Sequence, residues 1–163
     1  MFARYFIELA LPSTVVEDLL SRHGVAALDA AVRRATQRGN RLLADVGVGD
    51  RHRIERTVEI SLGPEIHAAT KTVVPMSWRP VGAAGGLFPT LDADLEIAPL
   101  DGSTTQLAIS ARYSPPLGSV GRLLDRAVLH RVAETTIKDF LDQVGDAIRA
   151  LGSASGSATL TPA

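Results

Sequence analysis

The chain predicts an α+β domain in which an antiparallel meander is covered by one long C-terminal helix. Three observations carry that expectation. Apolar residues recur at helical spacing from Gly118 to Leu151 with no proline; from about residue 52 to Tyr113 they alternate instead; and one strand followed by two short helical patterns precedes both. A helix over Gly118–Leu151 would be roughly 50 Å long at about 1.5 Å per residue. That exceeds the width of a small domain, so the helix has to lie across the strands.

Residues 3–9 place Ala3, Tyr5, Ile7 and Leu9 on one side and Arg4, Phe6 and Glu8 on the other, the pattern of a half-buried strand. Pro12 and Ser13 stop it and offer an N-cap. Val15, Val16, Leu19 and Leu20 then predict a short helix over about 13–22, with Glu17 and Asp18 well placed in its early turns. Gly24 is expected to break that helix. A second one follows from Val25 to Arg38, with Leu28, Ala31, Val32 and Ala35 on one stripe, and Gly39-Asn40 reads as its stop. Residues 41–46 fit a helix or a strand equally.

The meander begins with Ile54, Arg56, Val58, Ile60 and Leu62 sharing one face, so that Arg56 is the single charge on an apolar side. Gly63-Pro64 predicts a turn. The next extended stretch, about 66–80, groups Thr70, Thr72, Val74, Met76 and Trp78, while Pro75 on the other side indicates an edge or a bulge. Gly82–Gly86 is a glycine-rich loop, but Leu87-Phe88-Pro89 supplies neither the Gly-Lys-Ser/Thr nor the helix of a phosphate-binding loop. Residues 90–98 put Leu91, Ala93, Leu95 and Ile97 inward and Asp92, Asp94 and Glu96 outward. Carboxylates at that spacing are splayed about 7 Å apart and no histidine joins them, so a solvated acidic face is expected rather than a metal site. Asp101-Gly102 predicts a hairpin turn, after which Leu107, Ile109, Ala111 and Tyr113 form the last inward face. Residues 1–151 thus read as a single domain and the small, polar run 152–163 as a disordered C-terminal tail.

Composition narrows the function classes. At 163 residues and 45% apolar content the chain can bury a core without a metal or disulfide. With 17 Lys+Arg against 18 Asp+Glu there is no bulk electrostatic case for nucleic acid or an anionic membrane. The absence of cysteine removes thiol catalysis and thiolate zinc sites. The N-terminal stretch lacks the features of a signal peptide, and no apolar run is long enough for stable membrane insertion, so a cytoplasmic location is expected.

The order of elements, together with PSTVVEDLL near the N-terminus and YSPPLGSVGRLLDRAVLHRVAETTIKDFLDQVGDAI near the C-terminus, resembles the START-like helix-grip superfamily (SRPBCC). That superfamily includes polyketide cyclase/dehydrase-like and lipid-transfer proteins. The resemblance covers nearly the whole chain to about residue 150. It implies a curved antiparallel sheet wrapped around the C-terminal helix, with an apolar cavity between them that takes a hydrophobic lipid, polyketide or isoprenoid-like molecule and needs no cofactor. Two features depart from the pattern. The segment Ala44 to Arg53 contains Asp45 but none of the aromatic residues common there, and only four strands of a usual six are legible, so the extra hairpin lies within residues 41–73 or is missing.

On the long helix, a projection at about 100° per residue brings Leu123, Ala127, Leu141, Val144 and Ile148 to one side. His130 and Glu134 fall among them, four residues apart and able to touch. Three roles are open to the pair: a structural hydrogen bond on the helix flank, a polar anchor for a ligand, or an acid–base pair. A metal would need a third ligand, and His67 is the only other histidine that can be placed near it. Arg56 could meet a ligand carboxylate or Glu134, or snorkel from the strand end. Met76, Trp78, Leu95, Tyr113 and Ala127 would line the cavity, although core packing accounts for large side chains equally well. No serine sits in Gly-x-Ser-x-Gly. Binding of a hydrophobic small molecule is therefore the leading expectation, ahead of a cyclase- or dehydratase-like enzyme using His130 and Glu134. A protein-interaction module, in which a homo-oligomer is possible, is the third.

Overall fold

The computed structural model describes residues 2–45, 58–80, 90–114 and 126–157. In chain order these form β1 (Phe2–Leu9), α1 (Ser13–Asp45), β2 (Val58–Leu62), β3 (Ile66–His67), β4 (Thr72–Pro80), β5 (Thr90–Pro99), β6 (Thr105–Ser114) and α2 (Arg126–Ser157). The fold is α+β and of helix-grip type: a curved, six-stranded antiparallel sheet in the order β1-β6-β5-β4-β2, with β3 also on β4, and a long C-terminal helix across its inner face.

Alternation along the strands builds that inner face in rows. The pairings align Tyr5, Ile109, Leu95 and Val74 in one row and Ile7, Leu107, Ile97 and Thr72 in the next. Toward the opposite end lie a row of Ala3, Ala111, Ala93 and Met76 and a row of Tyr113, Leu91, Trp78 and Ile60. Against them α2 presents Ala133, Ile137, Phe140, Leu141, Val144 and Ile148, all buried. The ring of Phe140 meets Trp78 edge-on, with centroids 6.2 Å apart. Gly145 allows a close approach of α2 to β1, since a Cβ there would lie 2.3 Å from Cδ1 of Ile7.

Five expectations need correction. The two short helices are one continuous helix, α1, over 33 residues. Gly24 costs it about 1 kcal/mol of helix propensity, but Gly24 is itself buried, with buried Val16 and Leu19 before it and Leu28 and Ala31 after it, and packing carries the helix through. The backbone likewise stays helical past Gly39-Asn40. Gly63-Pro64 does not turn the chain: β2 and β3 both pair with β4, and residues 63–65 oppose only Val74 and Pro75, which makes a one-residue bulge. Pro75 has no N–H to offer the edge, while its carbonyl accepts from Gly63 N at 2.7 Å. The turn lies at 68–71, where Ala68 N bonds Lys71 O at 2.9 Å, so the extended stretch 66–80 is a hairpin and Thr70 sits exposed in its loop. Finally, α2 continues through 152–157, which composition assigned to a disordered tail. Gly152 packs close to Leu11 and Leu19, so tertiary contact overrides the weak local propensity.

The hairpin at Asp101-Gly102 forms as expected, closed by Leu100 N to Thr104 O at 2.9 Å. The helices run antiparallel to each other, with Leu19 near Gly152 and Arg34 donating to Gln143 at 2.9 Å. Among the described residues no helix is long and apolar enough to cross a membrane.

Candidate functional site

The inner face is most tightly sealed at the end where Leu107, Ile97, Val144 and Ile148 meet, each at most 1% exposed. At the other end Trp78 and Leu91 are each 7% and Ala133 8% exposed, and there a polar cluster joins the inner face to α2. Tyr113 reaches it because the odd-numbered residues of β6 point inward; His130 reaches it from the second turn of α2.

The Tyr113 hydroxyl and His130 Nδ1 are hydrogen-bonded, and the two rings lie nearly parallel at 21° with centroids 6.1 Å apart. The other ring nitrogen, Nε2, lies 3.1 Å from Oε1 of Glu134. Tyr113 is buried, whereas the side chains of His130 and Glu134 are 40% and 54% exposed. The three groups thus run from the interior to solvent. A neutral imidazole satisfies the chain if Tyr113 donates to Nδ1 and Nε2–H donates to the carboxylate. So arranged, the cluster can hold a proton on the histidine, orient the phenol, or exchange Glu134 for a polar group of a ligand.

Trp78 and Tyr113 share a row through Leu91, and Met76 lies one row further in. Leu95 sits at the sealed end, packed between Ile109 and Val74. Ala127 does not line the interior. It is exposed, because the buried stripe of α2 centres on Ala133, Ile137, Phe140 and Val144, and Ala127 and Glu134 rotate toward its margin. Arg56, Leu123 and the Gly82–Gly86 loop lie outside the described residues.

Sequence reasoning missed a second polar link. Thr72, on the inner face and 4% exposed, donates to Glu17 of α1 at 2.8 Å and meets His67 Nδ1 at 3.1 Å. Its alternation with Val74 was the available signal; the partner on α1 was not. His67 is also 3.7 Å from Glu65, yet among the described residues no three His, Asp or Glu side chains converge to hold a metal ion. On the outer face Asp92 is ion-paired with Arg79 at 2.6 Å, and Glu96 with Lys71 at 2.8 Å and Arg4 at 3.5 Å.

Two clefts lie on described residues. One of about 500 Å³ is on the outer face of the sheet, floored by serines and carboxylates and walled by Phe2 and Arg112. The other, about 230 Å³, opens between β1 and α2 beside Arg4, Tyr5, Glu134 and Lys138, so it adjoins the solvent end of the polar cluster.

No family model matches the chain, and no curated protein matches it in sequence. Solved structures similar to it include a conserved protein from Geobacillus kaustophilus, 12% identical with a TM-score of 0.48 over 92% of this chain and 96% of that one. A protein from Thermus thermophilus is 9% identical with a TM-score of 0.47, over 93% and 99% respectively. An aromatase/cyclase from a Streptomyces species is 14% identical with a TM-score of 0.47, over 91% and 93%.

Proposed function

We propose that the protein binds a hydrophobic small molecule carrying one polar group, such as a lipid, polyketide or isoprenoid-like compound, between the sheet and α2. The supporting observation is the placement of Tyr113, His130 and Glu134 at the looser end of a largely apolar interior. An apolar site with a few convergent polar groups is the usual composition of a ligand pocket. The apolar body would lie along Trp78, Met76 and Leu91, and a carbonyl or hydroxyl would meet the Tyr113–His130 pair. Orientation is better supported than turnover: both ring nitrogens of His130 already have partners, so acid–base work would first require Glu134 or Tyr113 to be displaced. A cytoplasmic carrier or sensor is the setting this reading fits.

Trp78 is the single tryptophan of the chain, which makes it a reporter. Titration with a long-chain ketone and with the matching hydrocarbon, followed by Trp78 fluorescence and native mass spectrometry, should show both bind and the ketone bind tighter. His130→Ala should remove the difference while leaving hydrocarbon binding intact. No binding of either probe would refute the function; an unchanged preference in His130→Ala would refute the anchor.

A further inference from the structure

Among the described residues the sheet has two edges, and they differ. The β2–β3 edge is interrupted by the bulge at 63–65 with Pro64 at its centre and ends in a two-residue strand, devices that discourage pairing with another chain. The β1 edge has none of them. It is an unbroken eight-residue strand without glycine or proline, and Phe2 and Phe6 on its outer face are 58% and 55% exposed. On its inner side the cleft between β1 and α2 leaves room beside residues 3–5.

The direction of its backbone groups follows from the registers. The Pro75 carbonyl faces the β2–β3 edge, so odd-numbered residues of β4 face that edge and even-numbered ones face β5. Carried through the unbroken pairings of β5 and β6, this turns the odd-numbered residues of β1 toward β6 and the polar groups of Phe2, Arg4, Phe6 and Glu8 outward. The Glu8 carbonyl agrees, since it accepts from Arg149 of α2 at 3.2 Å.

We infer that β1 pairs antiparallel with β1 of a second copy of this chain, about a two-fold axis through Phe6. The strand is self-complementary in that register: Phe6 lies opposite the partner's Phe6, and Arg4 lies opposite the partner's Glu8 on both sides of the axis. Shifting the axis to Arg4 would oppose two arginines, and shifting it to Tyr5 would leave both charges against phenylalanines, so the charges select one alignment. Each copy then supplies outward N–H and C=O groups at Arg4, Phe6 and Glu8, and the two sheets join into one. On the inner side the partner's Ile7 faces Tyr5 beside the cleft.

The chain has no cysteine, so single introduced cysteines report the alignment. Residues opposite each other in a hydrogen-bonded antiparallel pair have Cα atoms about 5.5 Å apart, within the range of about 4.4–6.8 Å for a disulfide. Sedimentation velocity over a concentration series should show a reversible dimer. Under mild oxidation Phe6→Cys should cross-link into a dimer and Phe2→Cys should not. Arg4→Glu should weaken the dimer by roughly tenfold, and the double variant Arg4→Glu/Glu8→Arg should recover it, with circular dichroism confirming that each variant is folded. A monomer at every concentration, equal cross-linking at positions 2 and 6, or no recovery in the charge swap would each overturn the inference.

Discussion

The contact most exposed to a quantitative test is Gly145 of α2 against Ile7 of β1. Gly145→Ala has two opposed effects. In a helix interior alanine is favoured over glycine by about 0.8–1.0 kcal/mol, but the new methyl would lie 2.3 Å from Ile7 Cδ1, more than 1 Å inside ordinary contact, while Leu9 Cδ2 at 3.5 Å is undisturbed. Ile7 is half-buried and its δ-methyl can turn aside, at about 0.5–1.5 kcal/mol for an off-rotamer side chain. The single variant should therefore be close to neutral. Ile7→Val removes the colliding methyl and should cost under about 1 kcal/mol at a half-buried site. In that background Gly145→Ala should show its full gain of about 1 kcal/mol, so the double-mutant cycle carries a coupling of about 1 kcal/mol. Urea unfolding of the four proteins measures it. A coupling near zero would mean that α2 does not sit on β1 at this position, and the grip described above would be wrong there.

Three further outcomes are expected. Phe140→Ala should cost about 3–5 kcal/mol and shift Trp78 emission to the red in the folded state, because it removes the ring that meets Trp78 edge-on. Glu96 is hydrogen-bonded to Lys71, and that bond holds its carboxyl below the ordinary value of 4.5 despite partial burial, helped by the charges of Lys71 and Arg4 and a bond from Ser110. Its contribution is present above about pH 4.5 and lost as pH falls through the lower folded value; Glu96→Gln should flatten that acid limb of a stability-against-pH curve and cost about 1 kcal/mol or less at neutral pH. Replacing Tyr113 and His130 together by Phe and Leu should leave stability within about 1 kcal/mol by thermal unfolding, while Tyr113→Phe alone should lose about that amount.

The fold was legible where one chain segment carries its own signal. Alternation in Leu91–Ile97 and Leu107–Tyr113 needs no partner to be read, and the observed inner faces of β5 and β6 follow it residue for residue. What local pattern could not show were outcomes decided by other segments. Gly24 looks like a helix stop until the buried stripe on both sides of it is seen to pack as one. Gly63-Pro64 looks like a turn until Pro75 is placed opposite it, where the missing N–H turns the pair into a bulge. The small residues after Leu151 look unstructured until Gly152 is seen against Leu11 and Leu19.

The site divides along the same line. His130 and Glu134 are four apart on one helix, so their contact could be inferred from spacing alone, and it forms at 3.1 Å. Tyr113 comes from a different element, and nothing local tied its hydroxyl to His130 Nδ1. That link changes the meaning of the pair. A His–Glu contact on a helix flank needs no further explanation, being half solvated and cheap to form. A tyrosine that is 2% exposed is different, because its buried hydroxyl would be costly without a partner, and phenylalanine would fill the same space with nothing to satisfy. Packing alone therefore accounts for the ring of Tyr113 but not for its hydroxyl. The hydroxyl is accounted for by His130 Nδ1, and the proposed ligand would place its polar group at that pair.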